Sequence, residues 1–364
     1  MDNNFDKYLK NSEPSKRSKA YAWSTAIGLQ EVDGLKTSKY LIETAKSNID
    51  GEISINEAKE RIDSYYKESV VNKNNDTEEA DKVSSRIAEI LSEPSFIFSA
   101  QEYLNIHKRL FDGIYSFAGK VRDYDITKKE WVLDGDTVIY GSKFELIDAL
   151  EYDIDQERKF SYKNLTMNQV IEHLSAFVSR LWQIHVFGEG NTRTTAVFLI
   201  KYLTKLGLDV NDDSFAYNSW YFRNALVRAN YSNISKNINE TTEYLNLFFR
   251  NLLLNETNEL KNRYMHIQYS ESQKTDIQNT KPYIEIEKTD IHNKILDLKV
   301  SNKTKNNIIK LYEKMGLTLI FGRSEVIRIL NIKESAASSL IKKMLDLYII
   351  QGVKGLGKGK YKFK

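Results

Sequence analysis

His185-Val186-Phe187-Gly188-Glu189-Gly190-Asn191-Thr192-Arg193 puts a histidine, a carboxylate, two glycines, an asparagine and an arginine into nine consecutive residues. Helical periodicity brackets the stretch. Upstream, Val170, Leu174, Phe177, Val178, Leu181 and Trp182 form an i, i+4, i+7, i+8 stripe that leads straight to His185. Downstream, Val197, Phe198, Tyr202 and Leu203 carry a second helix that starts near Asn191-Thr192. A helix ending at His185 holds the imidazole at a fixed point over the loop that follows. Gly188 and Gly190 leave backbone N–H groups unobstructed, and the next helix adds its N-terminal amides and dipole, so the loop reads as an anion site. Glu189 suits Mg²⁺, which keeps one or two protein carboxylates and takes its other ligands from phosphate and water. Arg193 offers a fork to phosphate oxygens. His185 would deprotonate an incoming hydroxyl, a role suited to a side-chain type that ordinarily titrates near neutrality.

The rest of the chain is mainly helical by pattern. Residues 1–68 read as a small helical region: Trp23, Ile27, Leu41, Ile42, Ala45 and Ile49 recur at helical spacing. Asp33-Gly34 and Asp50-Gly51 mark turns or helix stops, and Ser54 with Glu57 makes a capping box. Residues 69–81 are polar and read as a linker. The main domain is expected over 82–265. Within it, 121–140 is rich in β-formers (Val121 to Ile126, Trp131-Val132-Leu133, Thr137 to Tyr140) and reads as a hairpin inserted in a helical domain. A linker over 266–299 contains Pro282. Residues 300–364 carry three helical patterns and then a glycine-rich basic segment, the pattern of a winged helix-turn-helix.

Bulk composition narrows the function classes. At 364 residues, 41% hydrophobic and 28% charged, the chain is an ordinary globular sequence with room for two or three cores. Zero cysteines excludes disulfides, thiolate metal sites and a cysteine nucleophile, and suits a cytoplasmic location. Met1 to Lys10 has no apolar core, so no signal peptide is read there. No membrane partner is expected either: the most apolar run, Tyr244 to Leu254, is broken by Asn246, Arg250 and Asn251. The net charge of +3 hides an asymmetry, because residues 301–364 hold 14 Lys+Arg against 4 Asp+Glu. Such a basic tail on an acidic body points to DNA or another anionic partner. Lys342 and Lys343 lie opposite the apolar face of the last helix, and Lys354, Lys358 and Lys360 line the glycine-rich wing.

With these residues in place the chain resembles the Fic family, whose motif is His-x-Phe-x-(Asp/Glu)-Gly-Asn-x-Arg. His185, Phe187, Glu189, Gly190, Asn191 and Arg193 match it, and the resemblance covers about residues 82–250. It implies an α-helical Fic fold with a β-hairpin flap, joined here to a small C-terminal winged-helix domain. It also implies a protein adenylyltransferase that moves AMP from ATP to a Ser, Thr or Tyr hydroxyl of a target protein. His185 would be the base and Glu189 would bind Mg²⁺. Gly188, Gly190, Asn191 and Thr192 would form the anion loop, and Arg193 would hold the diphosphate. Phe187 would anchor the loop. Ile126, Thr127 and Lys128 would lie at the edge of a flap that pairs with the target.

Three positions depart from the family pattern. Val186 replaces a common proline, Thr192 replaces the usual second glycine, and Ala196 stands where many members have a second arginine. Relatives of the Doc type lack that arginine, bind the nucleotide inverted and transfer a phosphate, which makes a phosphotransferase the second reading. A DNA-binding regulator with a non-catalytic nucleotide module is the third. The N-terminal region resembles the small antitoxin domain of some Fic proteins, with Leu29-Gln30-Glu31-Val32-Asp33-Gly34 as the best match to its inhibitory helix. Asp33 would be its regulatory carboxylate. Without an arginine at Ala196 the family's inhibitory ion pair cannot form as described, so a docking or steric role is expected. A homodimer is a further candidate assembly. His107, His173, His266 and His292 show no metal-ligand spacing and receive no role.

Overall fold

The computed structural model describes residues 4–11, 13–68, 75–210, 214–269, 300, 302–315, 320–347, 349–353 and 359–363. The chain divides into two compact units, Met1–Pro282 and Tyr283–Lys364. The protein is mainly helical, as the periodicity predicts. Among the described residues no helix is long and apolar enough to cross a membrane.

The first unit contains α1 (Asp6–Asn11), α2 (Pro14–Gly28), α3 (Lys39–Asp50), α4 (Ile55–Glu68), α5 (Asn75–Ser92), α6 (Ala100–Phe111), α7 (Leu146–Lys159), α8 (Met167–Ile184), α9 (Asn191–Lys205), α10 (Ser214–Ala229) and α11 (Glu243–Leu254). One continuous apolar core runs from Phe5 to Met265, so the N-terminal helices share the core that buries α8 and α9. Helix α2 packs on α5 and α10; α6 packs on α9; α8 contacts α7, α9, α10 and α11. The helix stops read from sequence are present: Gly34 (φ 69°) and Gly51 (φ 84°) adopt the left-handed conformation that glycine tolerates best. Ser54 and Glu57 form the expected reciprocal cap of α4. At the start of α8, Thr166 and Gln169 do the same.

Two sequence expectations are corrected. Residues 75–81 belong to α5 rather than to a linker, while 69–74 lie outside the described residues. This first part of α5 is rich in acid groups, which an apolar template does not register. Asp81 faces inward and is fully buried, accepting from Ser38 N (2.8 Å), Ser38 Oγ (2.5 Å) and Tyr66 OH (2.7 Å). The second correction concerns 121–140, where no strand forms. Trp131–Leu133 is a 3₁₀ turn, and Glu130 N donates to Asp136 O at 2.9 Å to close the fold-back. Val132 and Leu133 are both fully buried, and neighbouring residues on a strand cannot both face the same side. The expected linker over 266–299 is tethered at its start. Ile267 N donates to Val132 O (3.0 Å) and Gln268 Nε2 donates to Asp134 (2.5 Å). Residues 270–299, including Pro282 and His292, lie outside the described residues.

The second unit contains α12 (Asn302–Met315), α13 (Arg323–Leu330), α14 (Glu334–Asp346) and an antiparallel pair, β1 (Ile350–Gly352) and β2 (Tyr361–Phe363). Phe321 adds a bridge to Tyr361. Ile308, Leu311, Val326, Leu340, Met344 and Phe363 belong to a separate core. Three helices followed by a two-stranded hairpin is the element order expected from the sequence.

Candidate active site

The loop between α8 and α9 is fixed by its own side chains. Asn191 staples it shut: its Oδ1 accepts from Phe187 N (3.0 Å) and its Nδ2 donates to Phe187 O (2.7 Å). Phe187 is fully buried and stacks on His107 with ring centroids 3.6 Å apart. Gly190 sits at φ 78° against Phe111, where a Cβ would come within 2.4 Å of the ring. Gly188 faces Tyr124, whose hydroxyl would lie 2.4 Å from a Cβ there. Gly190 is therefore required by its backbone conformation and its close approach to the ring, whereas at Gly188 the exposed Tyr124 could swing aside. Thr192, the departure from glycine, turns its side chain away from the loop mouth. Its Oγ1 accepts from Trp182 Nε1 at 2.9 Å and the residue is buried. The backbone at this position is thus left uncovered by the extra side chain.

His185 ends α8 in the left-handed region (φ 51°, ψ 58°), a conformation that costs a non-glycine residue energy and concentrates at functional sites. Arg122 holds it there. The buried guanidinium donates to His185 O (Nε, 2.8 Å), Tyr124 O (Nη1, 2.5 Å) and Gly141 O (Nη2, 2.5 Å), while Arg122 N donates to Val186 O (3.0 Å). The imidazole is 3% exposed and lies over the Tyr140 ring at 4.2 Å. Its Nδ1 lies 3.3 Å from Trp182 O, a contact that requires the proton on Nδ1. Nε2 is then the bare nitrogen, and it is buried without a partner. Burial, then the positive charges of Lys128 and Arg223, hold the ring well below the usual histidine range, so it is neutral at pH 7. A neutral ring with a bare, unpartnered Nε2 can accept a proton.

Beyond the loop, helix α9 begins at Asn191 with Gly190 as its N-cap and no side-chain cap. Its first turn therefore presents backbone N–H groups as an anion site would. Glu189 is half exposed, and Lys128 Nζ from the 121–141 segment contacts its carboxylate at 3.0 Å. Ile126 is half-buried against the core and Thr127 is exposed. Among the described residues no cluster of three or more histidine or acidic side chains converges here. A lone, accessible carboxylate beside uncapped amides fits Mg²⁺ arriving with nucleotide phosphates, not a self-sufficient metal centre.

Arg193 is the residue whose surroundings the sequence did not reveal. Its side chain is 1% exposed and carries partners on every nitrogen. Nε lies 2.7 Å from Asp33 Oδ2, a charge contact without an aligned hydrogen bond. Nη1 donates to Gln30 Oε1 (3.1 Å), and Nη2 donates to Glu79 Oε1 (2.7 Å) and Tyr115 OH (3.3 Å). Phe111 stacks beneath the guanidinium at 4.7 Å. Asp33 thus meets the motif arginine itself, rather than an arginine at the Ala196 position. Ala196 is fully buried.

Other supporting residues also went unread in the sequence. Glu130 pairs bidentately with Arg223 (2.6 and 3.0 Å) and accepts from Tyr140 OH (3.1 Å), which fixes the ring under His185. The one available signal was the placement of charged residues inside apolar stripes, as for Arg223 between Phe222 and Ala225. In the second unit Lys342 and Lys343 are exposed on α14. Lys360 instead lies beside the N-terminus of α13, where its charge helps hold the Glu325 carboxyl low after that group's backbone hydrogen bonds. Lys354 and Lys358 lie outside the described residues.

Residues 97–203 match the family model described as Fic/DOC family, a span that contains the whole loop, α6, α8 and most of α9. No curated protein matches the sequence. Among solved structures the chain is similar to a Fic family protein from Desulfovibrio desulfuricans G20, at 12% identity and a TM-score of 0.43, covering 97% of this chain and 88% of that one.

Proposed function

We propose that the Fic/DOC family domain at residues 97–203 makes this chain a protein adenylyltransferase that transfers AMP from ATP to a Ser, Thr or Tyr hydroxyl of a target protein. The observation that carries the reading is the free, buried Nε2 of His185 beside the uncapped start of α9. In the transfer, Nε2 takes the proton of the target hydroxyl. The hydroxyl oxygen forms a bond to the α-phosphorus, and the bond from that phosphorus to the bridging oxygen breaks. Diphosphate leaves with the electron pair. The amides of Gly190 to Arg193 bind the phosphate oxygens, which costs no reorganisation because Asn191 and Phe187 already hold the loop. Glu189 would hold Mg²⁺, which supplies charge neutralisation on the phosphates when bound. Lys128 must leave Glu189 for that to happen.

Asp33, Gln30 and Glu79 hold Arg193 away from any phosphate. The resting chain is therefore a restrained enzyme whose N-terminal helices own the diphosphate clamp. The Doc-like reading, transfer of a phosphate, rests on Ala196, which removes the side chain expected to orient ATP. One experiment separates the two: intact mass of the protein and of a lysate after incubation with ATP and Mg²⁺. A His185-dependent AMP adduct supports adenylylation, a phosphate adduct supports the Doc-like reaction, and neither adduct, in the wild type or with Arg193 released by Asp33→Ala and Glu79→Ala, removes both.

For the basic second unit we propose contact with DNA phosphates through Lys342 and Lys343. Exposure of both on one face of α14 supports it. Binding of the full chain to duplex DNA should weaken with salt, and the double change to glutamate should lower the salt slope by about 2. Equal slopes for both proteins would remove these lysines from the interface.

A further inference from the structure

His107 is a buried titratable side chain that the proposed chemistry leaves unused. It lies on α6, one turn from Tyr103 and one from Phe111, and is fully buried. Both ring nitrogens are engaged. Gly119 N donates to Nδ1 at 2.8 Å, so Nδ1 is the bare nitrogen. The proton is then on Nε2, which donates to Glu189 O at 3.0 Å. Burial pushes the ring down to about 4, so this neutral tautomer persists at neutral pH. The ring is also wedged flat against Phe187, and Phe111 tilts against its other side at 4.7 Å.

The bond to Glu189 O has a consequence one atom further on. The peptide unit between Glu189 and Gly190 is planar and trans, so its C=O and N–H point in opposite directions. Fixing the carbonyl toward α6 points the Gly190 N–H away from the core. Among the described residues no acceptor meets that N–H. The left-handed φ of Gly190, packed on Phe111, then leads directly into the uncapped first turn of α9.

We propose that His107 is a positioning residue for the phosphate loop: it draws the Glu189 carbonyl into the core and thereby turns the Gly190 N–H toward a bound phosphate. This rests on the nucleotide-transfer reading above. The ring never touches substrate; it acts through one peptide plane. His107→Phe keeps the stacking and removes both hydrogen bonds. His107→Gln restores a donor and an acceptor at the end of a flexible side chain.

The test is calorimetric binding of ATP with Mg²⁺ to the full chain and both variants, alongside thermal unfolding and spectra of protein carrying isotope-labelled glycine. His107→Phe should bind about tenfold more weakly, the value of one hydrogen bond of about 1.4 kcal/mol, and His107→Gln should recover most of that loss. The Gly190 amide signal should move in His107→Phe and return toward its original place in His107→Gln. Equal ATP affinity in all three proteins, with only the unfolding temperatures lowered, would overturn the positioning role. If no protein binds ATP even when Asp33→Ala with Glu79→Ala is added to each, the nucleotide reading fails and the Gly190 signal decides alone: movement in His107→Phe upholds the placement of the N–H, and an unmoved signal ends it.

Discussion

The two ends of the loop are treated in opposite ways. At His185 the fold uses only backbone and aromatic contacts: Arg122 grips carbonyls, Trp182 O accepts from Nδ1, and Nε2 is left free. At Arg193 the fold supplies Asp33, Gln30, Glu79 and Tyr115, and no nitrogen is left to spare. Only eight positions separate the two residues, yet one keeps a bare, unpartnered nitrogen and the other has a partner at each of its nitrogens. The difference lies in where their partners come from. His185 is organised by its own domain, whereas three of Arg193's partners come from residues 30–79, ahead of the family-matched span. On the proposed function, catalysis and restraint would fall to separate parts of one core.

The largest expected effect falls on the free end. His185→Ala should lower transfer by about a hundredfold to ten-thousandfold, the usual worth of a positioned base. Its unfolding temperature should also fall, because the buried ring's packing on Tyr140 and its bond to Trp182 O are lost, so activity is compared well below the variant's transition. Activity retained in this variant would mean the free nitrogen is incidental. At the locked end, Asp33→Ala with Glu79→Ala should act in the opposite sense. Removing both carboxylates leaves a buried guanidinium unpaired, which costs about 3 kcal/mol of stability. ATP with Mg²⁺ should then restore stability in the variant far more than it stabilises the wild type. Thermal unfolding with and without the nucleotide measures this. If the wild type gains as much as the variant, Asp33 and Glu79 do not compete with phosphate.

Much of the free end was legible in the sequence and little of the locked end. His185, Glu189, Gly190 and Asn191 announce themselves because each lies within one short loop whose helices have strong apolar stripes. Thr192, where the family pattern has glycine, puts a side chain on a loop that must let an anion approach closely, and so would be an obstruction if it faced the mouth. It is not one, because Trp182, ten residues earlier, offers its indole N–H to the hydroxyl. The lock on Arg193 joins residues 163, 160, 114 and 78 positions apart in the chain, and no local pattern encodes such distances. Asp33 could be singled out by motif likeness, but its partner could not. Glu79 stood in a segment whose polarity resembles a linker. The same blindness produced the expected hairpin at 121–140, where Val132 and Leu133 are β-formers that the core pulls into a 3₁₀ turn.

A pH experiment sharpens the contrast further. The imidazole of His185 is held well below 6.5 by burial, then by Lys128 and Arg223. In the unfolded chain it returns to about 6.5. Above that pH neither state is protonated and the group contributes no slope. As pH falls below it, the unfolded chain takes up a proton that the folded chain refuses, so stability is lost. Wild type should therefore lose up to about 1.4 kcal/mol per pH unit more than His185→Gln between roughly pH 6 and 5. Parallel stability curves would show that the ring titrates normally and is not desolvated. Catalysis should follow the same sign, with the acidic limb of the rate profile lying below 6.5.

The smallest effect tests how Thr192 is accommodated. Thr192→Val keeps the shape and removes the acceptor for Trp182 Nε1, leaving a buried N–H unsatisfied at a cost of about 1–3 kcal/mol. Because the side chain faces the core and not the loop mouth, ATP affinity should stay within about twofold of wild type, under 0.5 kcal/mol. Thr192→Gly removes the same acceptor and also adds backbone freedom at the first turn of α9, so it should be less stable than Thr192→Val without binding ATP more tightly. Tighter binding by the glycine variant would show that the threonine side chain does stand in the anion's way, and that the free end of the loop is less prepared than its histidine implies.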